Sequence, residues 1–576
     1  MGFEAIPVLE LFGFTVRRAN MERRWHKVWP VWAPKTLDVQ RPVSEYVREW
    51  ARYAPNRIAI SFYGRDITYG ELDAMIDKLA WGLVDLGVKK GDRVAVHMEN
   101  CPQFVVAYFA AQRAGAIVVP VNPMFKAAEL EHEMNDSGSE TLIGFAALYP
   151  ELEKVRKQTC LKNIILTSVE DFIPSSPIFP PPEEADHQSQ KYADTIDYGD
   201  LLAKSRDGRI CNVTDMSKDL AVLQYTGGTT GTPKGAMITH DGLAAAVLNS
   251  FAWYRHREDD VILGVTPFFH IMGQVQLMGI FVVCGGRLVI FPRFTPSLTA
   301  KAVTHYGVTF WVAAPPMIIG LLNLPELSQY DLTSFRCIAT GGAPIPVELQ
   351  AGLKKVAPDA AIVDGYGLTE TISSGAACTP LFQYRPGFVG IPQIEVDIRI
   401  MDQETRTKEL PPNQGGEIVI KARAMLVGYW NKPEETKEML RDGWLYTGDT
   451  GLMDEDGYIK FLGRTRELIK CSGFSVFPAE VEDLLFKHPA VKDVAVIGVN
   501  DPYRGESPKA FVVLKADYLG KVTEQELLEW SKDNMAAYKR PKFIEFREEL
   551  PKNNAGKLLR RVLAAEEQAK EKSKAT

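Results

Sequence analysis

The 576-residue sequence has no apolar run long enough to cross a membrane. Its longest, Val275 to Gly286, falls short of the about 20 residues that a span needs and predicts a core helix instead. Basic charge is not in surplus either: the formal net charge is -7, which argues against a general binder of phosphate backbones. Cysteine is sparse. The seven residues, at positions 101, 160, 211, 284, 337, 378 and 471, form no C-x-x-C pair and no Cys/His group at metal spacing, so reduced thiols in a cytosolic compartment are expected. No basic segment, apolar run and small-residue cleavage site succeed one another at the start, and the final EKSKAT carries no address. A Walker-type phosphate loop is also missing, because Lys234 follows Pro233 and precedes Gly235 where that pattern needs Gly-Lys-Ser/Thr.

What is present reads as α/β. From Asp92 to Val121 a β-branched run, an apolar helix and a second β-branched run make a βαβ unit, hence a parallel sheet. The helix AAELEHEMND and the run TLIGF continue the alternation, as in a doubly wound arrangement. Ile173 to Gln188 holds five prolines and predicts an exposed loop. Between Glu417 and Phe461 short alternating runs and turns predict a small antiparallel barrel. From Arg466 onward a helix-strand-strand-helix pattern predicts a separate α+β unit. The opening MERRWHKVWPVW mixes basic and aromatic residues as a membrane-surface segment does, although Pro30 interrupts the helix that such contact uses.

The segment QYTGGTTGTPKGAMITH, Gln224 to His240, packs four Gly, five Thr and one Lys between apolar flanks. Glycines let backbone N–H groups converge on an anion, threonine hydroxyls add donors and lysine adds charge. The preceding run Ala221 to Leu223 and the following helix HDGLAAAVLNSFAWY predict a strand-loop-helix setting, where an anion-holding loop belongs.

This segment is followed in order by GYGLTE (Gly365 to Glu370), GWLYTGDTG (Gly443 to Gly451), GRTRELIKCSGFSVFPAEVE (Gly463 to Glu482) and PKNNAGKLLRR (Pro551 to Arg561). Together they resemble the adenylate-forming acyl-CoA synthetase superfamily, which also includes luciferases and peptide-synthetase adenylation domains. The resemblance implies a large N-terminal adenylating domain (1–465) of doubly wound sheets with a barrel-like part at about 385–465, and a mobile α+β C-terminal domain (466–576). Chemistry agrees with it. A carboxylate is a poor electrophile, and attack on the α-phosphate of ATP makes it an acyl-adenylate, a step that gathers anions and so needs cations and N–H donors.

By this resemblance Thr226, Gly227, Gly228, Thr229, Thr230 and Lys234 cradle the β and γ phosphates. Asp364, Gly365, Tyr366 and Gly367 lie on the nucleotide side, with Tyr366 facing the adenine; Thr369 reaches the α-phosphate and Glu370 binds Mg²⁺. Gly341, Gly342 and Ala343 leave room beside the adenine and the acyl pocket. Asp449 accepts the ribose hydroxyls with Arg464 beside it, an acceptor-only carboxylate being suited to a diol. Lys557 offsets charge during acyl transfer to the nucleotide, and the hinge is Arg466, where relatives carry Asp or Lys. After rotation Gly473 lets the pantetheine of CoA approach, Lys470 contacts phosphate or adenylate, and Cys471 is a bystander.

Phe269 and His270 match an aromatic-histidine pair at the carboxylate's end of the pocket, with a hydrogen-bonded core histidine as the competing reading. Met272, Val312 and Ala313 are apolar lining candidates, and no Asp stands where an amino acid's ammonium would be held, which favours a fatty acid of medium or long chain over an aryl acid. A coumarate-like aryl-CoA ligase, an enzyme loading a carrier protein and an inactive nucleotide-binding module are the alternatives. The expected cofactors and partners are ATP, Mg²⁺, CoA and a fatty acid. No nucleic acid and no transmembrane segment are expected, with room for peripheral membrane contact and for a homodimer, in the cytoplasm.

Overall fold

The computed structural model describes residues 23–181, 191–226, 233–341, 345–464, 467–471, 474–501, 504–537, 539–552 and 558–575. Its nine-stranded sheet runs, in spatial order, Ile391–Pro392, Ser373–Cys378, Ala361–Leu368, Cys337–Gly341, Phe310–Ala313, Val261–Gly264, Arg287–Ile290, Ile58–Phe62 and Arg65–Thr68. From Ala361–Leu368 to Ile58–Phe62 every pairing is parallel, and the strands beyond each end are antiparallel.

An eight-stranded sheet runs Gly428–Tyr429, Lys234–Thr239, Leu220–Thr226, Ile117–Pro120, Arg93–His97, Thr141–Phe145, Asn163–Thr167 and Ile196–Asp197. The expected βαβ unit is there: strand Arg93–His97, helix Pro102–Arg113 and parallel strand Ile117–Pro120. Every residue of that helix is buried, within an apolar core that includes residues of both sheets, so FVVAYFAA is apolar all round rather than along one stripe. Its last residue, Arg113, is matched to Asp73 at 2.5 Å and Asp77 at 2.9 Å, and Arg48 joins Asp77 at 2.6 Å. These ions are acceptable in a core because each guanidinium has carboxylate partners, and they tie three helices together.

The apolar run at 275–286 is helical and buried, but its first turn is a π-helix, Gln274–Gly279, continued by the α-helix Ile280–Cys284. The antiparallel subdomain consists of Val396–Met401, Gly416–Ala422, Trp444–Met453, Leu440–Arg441 and Ile459–Arg464. Its ladder is open among the described residues, with Val396–Met401 and Leu440–Arg441 at its ends. The C-terminal α+β domain has its own sheet, Phe474–Val476, Ile469–Cys471, Gly505–Leu514 and Val491–Asp501, with Phe543–Phe546 parallel on Gly505–Leu514. Val494 and Val496 enter one apolar core while Ala495 and Ile497 enter another, the period-2 signature of a sheet covered on both faces.

The opening segment packs on the large domain. The tryptophans of the opening segment face inward: Trp25 is buried, the Trp29 ring lies 5.5 Å from that of Trp253, and Trp32 Nε1–H donates to the Trp253 carbonyl. Apolar area gains more from this core than from water, so the aromatics seal the domain. Residues 173–181 of the proline-rich stretch are irregular and mostly exposed, as expected, with Phe179 buried among them against Phe291, ring centres 5.6 Å apart; residues 182–188 lie outside the described residues.

Candidate active site

Thr226 closes strand Leu220–Thr226 and pairs directly with Lys234, the first residue of the antiparallel strand Lys234–Thr239. The phosphate-loop candidate is therefore a hairpin tip. The expected strand-loop-helix setting is corrected, since helix His240–Trp253 begins only after a second strand, Lys234–Thr239. Lys234 Nζ stands 5.4 Å from the centre of the Tyr429 ring.

Thr369, Glu370 and Thr371 form a 3-10 turn after strand Ala361–Leu368. Gly367 is exposed, while Thr369 and Glu370 are half-buried and reachable. Glu370 Oε1 accepts a 2.6 Å hydrogen bond from the Tyr429 hydroxyl, and the Glu370 carbonyl accepts from Leu426 N–H at 2.9 Å. Burial, and then the Glu370 charge, push the Tyr429 hydroxyl far above its usual range and keep it a donor. Ile372, just past the turn, has φ +50°, a left-handed conformation that a β-branched residue rarely adopts, and it is fully buried. No group of three or more His, Cys, Asp and Glu among the described residues could hold a metal. A single carboxylate suits Mg²⁺ that arrives with phosphates supplying most of its oxygens.

Asp449 lies opposite Arg464 on neighbouring antiparallel strands, with Arg464 Nε 2.8 Å from Asp449 Oδ1. Its other oxygen, Oδ2, accepts from the Tyr366 hydroxyl at 2.7 Å. The Tyr366 ring tilts against Phe461 at 5.9 Å, and burial with the Asp449 charge raises the phenol far above its usual pKa. Gly448 has φ +68°, so the turn that presents Asp449 needs glycine. Buried Glu417 holds this turn, accepting from Gly448 N–H at 3.2 Å while paired with Arg406 at 2.7 Å. Asp364 is buried as well; it accepts from Gly365 N–H at 3.0 Å, the Thr340 hydroxyl at 3.2 Å and Ile345 N–H at 3.4 Å, and burial pushes its carboxyl up to about 7. It fastens strand to strand where Gly341 pairs with Gly365.

His270 is exposed, so it is no core histidine. Its Nδ1 accepts from Met272 N–H at 3.3 Å, which leaves Nε2 to carry the proton of the neutral ring, and desolvation by the surrounding protein lowers its pKa. A Cβ at Gly273 would stand 2.1 Å from the Pro267 carbonyl oxygen, so the turn carrying His270 closes only around glycine.

Sequence reasoning missed the groups that hold this turn. Asn100 Oδ1 accepts from Phe268 N–H at 2.8 Å, and its Nδ2 donates to the Thr266 carbonyl at 2.9 Å. Gln274 Nε2 donates to Gln224 Oε1 at 2.7 Å, Gln224 Nε2 donates to the Phe269 carbonyl at 3.2 Å, and the Tyr108 hydroxyl donates to Gln274 Oε1 at 3.2 Å. This buried chain links the π-helix, the His270 turn and the base of the hairpin. Single amides such as Asn100, Gln224 and Gln274 carry no local signal; only their burial reveals them.

Gly227, Gly228, Thr229, Thr230, Gly342, Ala343, Arg466, Gly473 and Lys557 lie outside the described residues. Lys470 is on strand Ile469–Cys471, opposite Ser475, and Cys471 is buried. Val312 and Ala313 are buried on strand Phe310–Ala313, and Met272 is half-buried beside His270.

Comparison with known proteins agrees with this geometry. The model of the AMP-binding enzyme family matches residues 47–430, and that of the AMP-binding enzyme C-terminal domain matches residues 480–557. A long-chain-fatty-acid–CoA ligase of Bacillus subtilis is 37% identical over 554 residues, 95% of this chain and 98% of that protein. Among solved structures, an anthranilate CoA ligase in complex with anthranoyl-AMP superposes with a TM-score of 0.82 at 26% identity, over 92% of this chain and 98% of that one. ATP-bound MatB from Rhodopseudomonas palustris gives 0.80 at 29% identity, over 91% and 98%. With a family model over residues 47–430 and a relative 37% identical along almost the whole chain, this chain belongs to the AMP-binding enzyme family of adenylate-forming ligases.

Proposed function

We propose that this enzyme is a fatty acid:CoA ligase that takes a medium- or long-chain fatty acid, ATP and CoA to acyl-CoA, AMP and pyrophosphate. The observation that carries the reading is the Asp449 carboxylate, held by Tyr366 and Arg464, on the same framework as the Glu370–Tyr429–Lys234 group. The first fits a ribose, the second a triphosphate with its metal.

In the first half-reaction a substrate carboxylate oxygen attacks the α-phosphorus, the new P–O bond forms and pyrophosphate leaves. Asp449 holds the ribose and Thr369 donates to the α-phosphate. Lys234, with the hairpin's amides and hydroxyls, holds the leaving group, while Lys557 offsets the charge that grows as the carboxylate reaches the phosphate. Mg²⁺ bound at Glu370 would neutralise phosphate charge. His270 Nε2–H faces the carboxylate. In the second half-reaction the CoA thiolate attacks the acyl carbon and AMP leaves. One lysine-bearing loop cannot serve both steps from one position, so the domain 466–576 turns about Arg466 against 1–465, withdraws Lys557 and brings Gly473 to the pantetheine.

Apolar Met272, Val312 and Ala313 and the Bacillus subtilis relative favour a fatty acyl group. ATP–pyrophosphate exchange across acids of graded length, with mass spectrometry of the thioester, tests this. Exchange with medium and long fatty acids is expected. Exchange only with aromatic acids, or with none, overturns the reading.

A further inference from the structure

Tyr429 lies on the two-residue strand Gly428–Tyr429, which extends the phosphate hairpin by pairing with Ala236. Backbone bonds lace this segment to both parts of the site. Leu426 N–H donates to the Glu370 carbonyl at 2.9 Å, Val427 N–H to Met237 O at 3.0 Å, and Trp430 N–H to Gly235 O at 2.8 Å. The Tyr429 side chain stands at the crossing: its hydroxyl is on Glu370 Oε1 at 2.6 Å and its ring is 5.4 Å from Lys234 Nζ.

We infer that Tyr429 is a positioning residue for adenylation, fixing the metal-binding carboxylate through its hydroxyl and the phosphate-binding ammonium through its ring. The inference rests on the reading of Glu370 as metal ligand and Lys234 as phosphate contact. A glutamate on a short turn retains freedom about its terminal torsion. A donor on Oε1 fixes the carboxylate plane and commits the carboxylate to one-oxygen binding through Oε2, which suits the near-octahedral demand of Mg²⁺. Beneath Lys234, an aromatic face holds the ammonium weakly, so it is kept near the hairpin and exchanged for phosphate at little cost. A phenylalanine would fill the same space without the hydroxyl that reaches Glu370.

The test uses the full-length protein, Mn²⁺ as a paramagnetic probe and α,β-methylene-ATP, with Mn²⁺ affinity read by electron paramagnetic resonance and nucleotide affinity by calorimetry. Tyr429→Phe keeps the ring and loses the donor. It is expected to weaken Mn²⁺ in the ternary complex by about three- to tenfold while metal-free nucleotide binding stays at the wild-type value. Tyr429→Leu is expected to weaken metal-free nucleotide binding by about two- to fivefold in addition. Glu370→Gln separates the two layers of the argument. If it leaves Mn²⁺ affinity unchanged, the reading of Glu370 as ligand is wrong. If it weakens Mn²⁺ while Tyr429→Phe lowers only the melting temperature, Tyr429 is a packing residue and the inference is overturned.

Discussion

Asp449 and Arg464 oppose each other on adjacent antiparallel strands, with the guanidinium Nε 2.8 Å from Oδ1 of a carboxylate that is almost completely buried. Tyr366, from the nine-stranded sheet, donates to the other oxygen at 2.7 Å, so one carboxylate joins the antiparallel subdomain to the nine-stranded sheet.

Removing that acceptor should act on nucleotide binding first. Asp449→Ala is expected to raise KM for ATP about ten- to a hundredfold, the range for hydrogen bonds to a charged group, with KM for the fatty acid little changed. Steady-state kinetics with each substrate varied in turn checks this; an effect confined to the fatty acid would contradict the assignment.

The two half-reactions should separate genetically. Lys557→Ala is expected to slow ATP–pyrophosphate exchange about a hundredfold or more while thioester formation from supplied acyl-adenylate proceeds. Gly473→Leu should give the opposite pattern if Gly473 borders the pantetheine as proposed. Equal loss of both half-reactions in either variant argues against domain alternation.

Asp364 makes stability depend on pH. Burial raises its carboxyl from 3.8 to about 7 in the folded protein. The folded state therefore keeps a proton that the unfolded chain releases, so this group's stabilisation is whole below pH 3.8 and is lost as pH rises towards about 7. Asp364→Asn cannot ionise. Its melting temperature relative to wild type is expected to climb from about pH 4 to about pH 7 and then level off. A difference that does not vary with pH sinks this account.

Much of the site was legible because its parts are local. The hairpin glycines and threonines, Gly365 to Glu370 and the turn at Gly448–Asp449 are contiguous strings whose backbone needs are written in residue type. The loop's setting was misread in one respect: the helix begins at His240 as expected, but KGAMIT, taken as part of the loop, is a strand, because its pairing partner Leu220–Thr226 is visible only in the sheet. The place of the tryptophans near the chain start was not legible: aromatic and basic residues suit a membrane surface and a domain seam equally, and the packing on Trp253 is seen only in the fold.

The sequence by itself determined the fold class and the identities of the charged groups, which follow from periodicity and from residue chemistry at short range, while the order of its motifs carried the family resemblance. Only the tertiary structure decided that Tyr429 meets both Glu370 and Lys234, that Tyr366 holds Asp449, and that Gln224, Gln274 and Asn100 fix the His270 turn. These pairs are brought together by sheet crossovers spanning many residues, and burial in a dry interior, which makes each such hydrogen bond matter, is a property of the packed chain rather than of any segment.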